Sequence, residues 1–165
     1  MAVTLDATVG GASANAYIDA STADTILAQH SRGTAWSALT SDAKNASLIM
    51  ATRALEQNNF RGARTAATQA LRWPRDGVYT RDGDAISSLV IPDDLKYACA
   101  ELAYLFSVEN RFAEAGTEGF SQITLGSLSL SIDKYDRKNM TPDYVRGFIS
   151  HYVASSQFNV ALGRA

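Results

Sequence analysis

Cysteine is almost missing. The chain has 165 residues and one thiol, Cys99, so no internal disulfide can form. Its two histidines, His30 and His151, cannot complete a metal site with that single thiol at these separations, so neither a metal nor another cofactor is expected. An excess of charge of one sign is missing too: 15 Lys and Arg stand against 17 Asp and Glu, a formal net charge of -2. That balance argues against a dedicated duplex-DNA binder, which presents a strong basic excess. Long hydrophobic runs are absent as well. The most apolar helix-length stretch, Tyr97 to Val108, is interrupted by Glu101 and is too short to cross a bilayer, so no membrane partner is expected. Met1 to Val9 lacks the basic start of a targeting signal. The recurrent enzyme signatures are missing: there is no GxxxxGK[ST], no GxGxxG after a strand and no HExxH, so no catalysis is expected. What is present is 46% apolar residues with only 19% charged, enough for one domain of this length to bury about 70% of its unfolded surface.

The periodicity predicts a mainly α chain: a small helical bundle with a long loop, a projecting β-hairpin and a C-terminal helix and arm. Val3, Leu5, Ala7 and Val9 alternate with polar residues up to Gly10-Gly11 and predict a short strand. Ser21 and Asp24 fit a capping box opening a brief helix that ends near His30. Ser41-Asp42 opens a second, carrying Ala43, Ala46, Ile49, Met50 and Ala54 to about Gln57. Pro92 suits a first helical position, followed by Leu95, Ala98, Cys99, Leu102, Leu105 and Phe106 on one stripe to about Asn110. Gly126-Ser127 between two alternating runs predicts a two-residue hairpin over about 121–133, with Ile123, Leu125, Leu128, Leu130 and Ile132 on its apolar face. Such a hairpin is marginal alone, so that face must meet the core or another chain. Thr141-Pro142 opens a last helix with Val145, Phe148, Ile149 and Tyr152. The division that follows is 1–139 for the helical domain, with its long loop over 58–91, and 140–165 for a C-terminal helix and docking arm.

Cys99, on the strongest apolar stripe, reads as a small core hydrophobe rather than a nucleophile. Asp82 and Asp84 around Gly83 read as a turn, because the remaining ligands of a calcium loop are absent. The loop over 58–91 is the chemically pointed region. There Arg61, Arg64, Arg72, Arg75 and Arg81 surround Trp73. Guanidiniums that pair with phosphates beside an indole that stacks on a base would track single-stranded nucleic acid. On the competing reading, Trp73-Pro74 plugs the core and the arginines pair with acidic residues such as Asp76 and Asp82 or with a neighbouring subunit.

The order of pieces carries a resemblance. Asn15-Ala16-Tyr17, Trp36, the Leu48–Leu55 helix, Arg61-Gly62, Gln69-Ala70-Leu71-Arg72-Trp73-Pro74-Arg75, Asp82-Gly83, Ile91-Pro92 and Glu101-Leu102-Ala103 follow one another as in a family of tailed-bacteriophage proteins often labelled DnaT-like single-strand-DNA-binding proteins. That family is similar in architecture to head-to-tail connector adaptors. The resemblance covers roughly Val3 to Asp136 and is most specific over Gln69 to Arg75. It implies a virion protein assembled in the host cytoplasm: a twelve-membered ring of identical copies under the portal protein, possessing no catalytic group and no cofactor. Such a ring extends the DNA channel, lets DNA pass without specific binding, and docks the next neck or tail protein. Phe148, Tyr152, Phe158, Val160 and Leu162 are then the expected portal-docking residues, and the hairpin the expected contact to a neighbouring subunit. The alternative is a single-stranded-DNA-binding module using Arg61, Arg64, Arg72, Trp73 and Arg75. Phe120-Ser121-Gln122, just before the hairpin, is neutral here where related sequences carry basic residues.

Overall fold

A computed structural model describes residues 3–31, 33–109, 139–154 and the backbone of two strands, 122–125 and 128–131. The chain is mainly helical, as its periodicity predicts. Among the described residues five helices run α1 (Ala20–Ala28), α2 (Gly33–Ser37), α3 (Ser41–Leu55), α4 (Asp93–Val108) and α5 (Asp143–Ile149). Between α3 and α4 lies a minimal ladder of β1 (Ala63–Arg64) and β2 (Arg75–Asp76), and after α4 comes the hairpin of β3 (Gln122–Leu125) and β4 (Leu128–Ser131).

The core forms where α4 packs against both α3 and α5. In α3, Leu48, Ala51, Thr52 and Leu55 follow the spacing that puts them on one face, and all are buried. Leu95, Ala98, Cys99 and Leu102 do the same in α4. The Thr52 hydroxyl is satisfied inside this seam by the Tyr17 amide, 3.1 Å away, so it adds no unpaired polar group to the core. Val145 and Ile149 bring α5 into the same cluster, together with Tyr152 just beyond it.

Several sequence expectations need correction. Val3–Val9 is not a strand. Asn15 donates its side-chain amide to the Thr4 carbonyl and accepts the Asp6 amide, while the Asp6 carbonyl takes the amides of Asn15 and Ala16. Side-chain bonds thereby replace a ladder. The first helix is capped by Asp19, whose carboxylate accepts from the Thr22 amide at 2.7 Å, not by Ser21. Asp24 instead takes the Trp36 indole N–H and the Lys44 ammonium. That pairing also anchors α2, which has no periodic signal of its own. Thr40 caps α3, one residue ahead of the expected start. Pro92 and Pro142 are the N-cap residues of α4 and α5 rather than their first helical residues.

The hairpin is antiparallel with Leu125 opposite Leu128, the register a two-residue turn dictates. Only the backbones of Ile123, Leu125, Leu128 and Leu130 are described. Ile132, Phe158, Val160 and Leu162 lie outside the described residues. Among the described residues no helix is long and apolar enough to cross a membrane.

Candidate functional site

The arginine-rich connection folds inward around Trp73. Its indole is 1% exposed. Phe60 and Tyr152 meet it edge-on, with ring centroids 5.7 and 5.4 Å away and interplanar angles of 79° and 71°, an arrangement aromatic rings favour. Both partners come from one junction: the Arg61 amide donates to the Tyr152 carbonyl at 2.8 Å and the Ala154 amide to the Asn59 carbonyl at 2.7 Å. Residues 152–154, just after α5, are thus stitched to the start of the connection, and Trp73 packs on Phe60 and Tyr152 there. The peptide joining Trp73 to Pro74 is cis.

Two polar side chains hold this irregular backbone. Gln69, 2% exposed, donates to the carbonyls of Leu71 and Pro74 and accepts the Ala66 amide. Arg75 donates to four carbonyls: Nε to Arg61 at 2.6 Å, Nη1 to Arg72 at 3.1 Å, and Nη2 to Phe60 at 3.2 Å and Gly62 at 2.6 Å. Gly62 sits at φ +70°, and a Cβ there would collide with the Asp76 carbonyl across the β1–β2 ladder, so this position requires glycine.

Of the five arginines singled out in the sequence, Arg75 is therefore an internal clamp. The other four are exposed. Arg61 donates to the Val153 carbonyl, Arg64 to that of Gln69, and Arg81 to the Gly147 carbonyl and His151 Nδ1. Arg72 lies 3.9 Å from Glu56. Among the described residues only Arg72 of the five stands beside a carboxylate, that of Glu56; in place of Asp76 and Asp82, Arg64 and Arg75 donate to carbonyls of the connection, and Arg61 and Arg81 to carbonyls of the segment over 143–154. Arg64, Arg72 and Arg75 nevertheless come together, with Glu56, Ala70 and Leu71, around an open cleft of about 490 Å³.

Cys99 is fully buried and its thiol is pushed up to about 12 by desolvation, which suits the core role and leaves no thiolate at neutral pH. Thr80 takes part in the turn around Gly83: its amide donates to the Asp84 carbonyl and its own carbonyl accepts the Gly83 amide. Burial, followed by the charge of Arg81, pulls the His151 imidazole below its ordinary range, although Asp94 Oδ2 lies 3.6 Å away. His30 Nε2 lies 3.6 Å from the buried Glu101. Among the described residues no three His, Cys, Asp or Glu side chains are gathered as metal ligands.

Of the residues expected to dock a portal, Tyr152 is 2% exposed and packed on Trp73, with its hydroxyl 3.3 Å from Asp94. It supports the core and offers no free face. Phe148 is half-buried beside Tyr97, ring centroids 6.3 Å apart. Sequence reasoning missed a different apolar surface, where Val9, Leu89 and Val90, exposed by 49, 74 and 44%, line a cleft of about 270 Å³ with Ile91 and Lys96. Leu89-Val90-Ile91 is a contiguous apolar run inside the loop, the signal that could have revealed it.

A family model described as "Putative DnaT-like ssDNA binding protein" matches residues 1–165. The chain belongs to this DnaT-like family. No curated protein and no solved structure gives a significant match. Membership in the DnaT-like family extends past Asp136, where the residue-level resemblance ends, through α5 to residue 165. The Gln69–Arg75 segment, its most specific stretch, lies in this chain as an interior scaffold around a buried indole.

Proposed function

We propose that this DnaT-like chain is a structural head-to-tail adaptor of a tailed-phage virion, forming a ring under the portal that extends the DNA channel and receives the next neck or tail protein. The observation that carries this reading is the direction of its side chains: Trp73 and Arg75 turn inward, while Leu89, Val90 and Val9 turn out to solvent. Apolar side chains gathered on one surface are what an assembly subunit needs to meet its neighbours. The order of sequence motifs supports the neck location, and the near-neutral charge suits a conduit, since each lysine or arginine on phosphate adds salt-dependent affinity and drag. In this reading the arm with Phe158, Val160 and Leu162 enters the portal, Phe148 and Tyr152 brace the helix behind it, and the hairpin meets a neighbouring copy. The role is non-catalytic and the chain resides in the virion neck. Deleting residues 156–165 is expected to preserve the circular-dichroism spectrum and abolish capture by purified portal; retained capture removes the arm from the mechanism. Virions that join heads to working tails without this chain would refute the adaptor role itself.

A second reading, single-stranded-DNA binding, is favoured by the family description and by the exposed guanidiniums of Arg61, Arg64 and Arg72. It must do without Trp73 as a stacking platform. Fluorescence anisotropy with a labelled oligonucleotide tests it: binding that weakens steeply with added salt supports it, and a flat titration at low salt ends it.

A further inference from the structure

The connection leaves one cluster of charge that the fold does not balance. Arg64, Arg72 and Arg75 line the 490 Å³ cleft against one carboxylate, Glu56. Glu56 is already engaged: its Oε1 accepts the Tyr17 hydroxyl and the Arg72 amide. Its Oε2 stays 3.9 Å from Arg72 Nε, beyond hydrogen-bond distance. Among the described residues the guanidinium of Arg64 is held by Nη1 alone, at 3.3 Å from the Gln69 carbonyl, which leaves most of its donors without a partner there. That of Arg72 makes no hydrogen bond to any described residue, although its backbone is fixed at both the amide and the carbonyl. Arg75 is held rigidly by four carbonyls and titrates below its ordinary value, through burial and then through the charge of Arg72, with Arg64 adding to the effect.

Forked donors anchored on a fixed backbone, facing a polar cleft with surplus positive charge, match the tetrahedral oxygens of a phosphate. We propose that this cleft is a phosphate-group site, in which Arg64 and Arg72 grip the phosphate oxygens and Arg75 contributes its fixed charge. The site does not depend on the adaptor reading and needs no exposed aromatic ring. Its phosphate can come from a free or mononucleotide source or from a nucleic-acid backbone.

Isothermal titration of the full chain with inorganic phosphate, at ionic strength held constant with chloride, tests it. Saturable binding is expected, weakened about tenfold or more by R64Q combined with R72Q. R53Q, which removes an exposed arginine of α3 outside the cleft lining, is expected to change nothing. E56Q is expected to tighten binding several-fold: its amide oxygen can still accept from Tyr17 and Arg72, while the opposing charge is gone. A purely structural role for these arginines predicts no such gain. Competition by an oligonucleotide identifies the backbone as the source, and phosphate binding without competition identifies a free or mononucleotide source. Absence of saturable phosphate binding to the folded chain, or an E56Q variant that binds no more tightly, overturns the proposal.

Discussion

The α3–α4 pair and the few interior residues of the connection between them are buried by opposite means. In the helices each interior backbone amide finds its partner four residues back, and the buried faces are filled mostly by Leu, Ala and Cys, with Ser47, Thr52 and Glu101 among them. The connection has almost no helix or sheet, yet it covers the end of the same core. Its backbone polar groups are satisfied one at a time by Gln69 and Arg75, and Trp73 supplies the volume. The difference teaches that single polar side chains of an otherwise exposed, arginine-rich segment can be interior, provided the guanidinium has carbonyls to feed. The one indole and one of the five guanidiniums that a nucleic-acid reader would value, Trp73 and Arg75, are committed to the fold, whereas Arg61, Arg64, Arg72 and Arg81 stay exposed.

That contrast can be broken most severely at Trp73. Trp73→Ala removes the largest buried side chain of the connection and is expected to cost about 3–5 kcal/mol, read by urea denaturation. A stability unchanged within error would return the indole to the solvent side. Arg75→Met keeps the length and deletes the donors to four carbonyls, an expected loss of about 3 kcal/mol. If instead Arg75 were a surface residue, its replacement would move the midpoint by a few tenths of a kcal/mol.

The seam between the connection and the rest of the core also sets an alkaline limit. Burial and Asp94 push the Tyr152 phenol up to about 12, and burial with Glu56 pushes that of Tyr17 well above its ordinary value of 10.0. The folded chain favours the neutral phenol. The resulting stability is therefore complete below pH 10, the unfolded value, and drains away as pH rises through the folded value near 12. Phenolate absorbance rising in two stages, the second coincident with unfolding, is the expected titration; a single stage near pH 10 contradicts it. The smallest expected effect belongs to the helical side of the comparison: Asp19→Ala removes the α1 cap and is expected to cost about 1 kcal/mol at neutral pH. The hydrogen bonds from Thr22 hold the Asp19 carboxyl below its ordinary value of 3.8, so the difference from wild type should vanish as pH falls through that lowered value.

The helices α3 and α4 were legible because their apolar residues recur with the period of one helical face, and the hairpin because Gly126-Ser127 interrupts two alternating runs. α2, five residues long, is too short to show a period, and the ladder of β1 and β2 is two residues on each side. The start of α1 was misread because two capping residues, Asp19 and Ser21, stand two positions apart in the sequence and only geometry selects between them. At the candidate site, composition revealed the cluster of arginines around Trp73. Their directions were hidden, because Arg75 is oriented by carbonyls from Phe60 to Gly62, thirteen to fifteen residues earlier. The apolar run Leu89-Val90-Ile91 is visible in the sequence, but its outward direction is not, because nothing local says which side of a loop faces the core.

The emission of Trp73 alone, isolated by Trp36→Phe, tests the central claim most directly. A blue-shifted spectrum, protected from acrylamide and unaltered by saturating oligonucleotide, is the predicted result. A red-shifted, readily quenched spectrum that dims when oligonucleotide is added would contradict it.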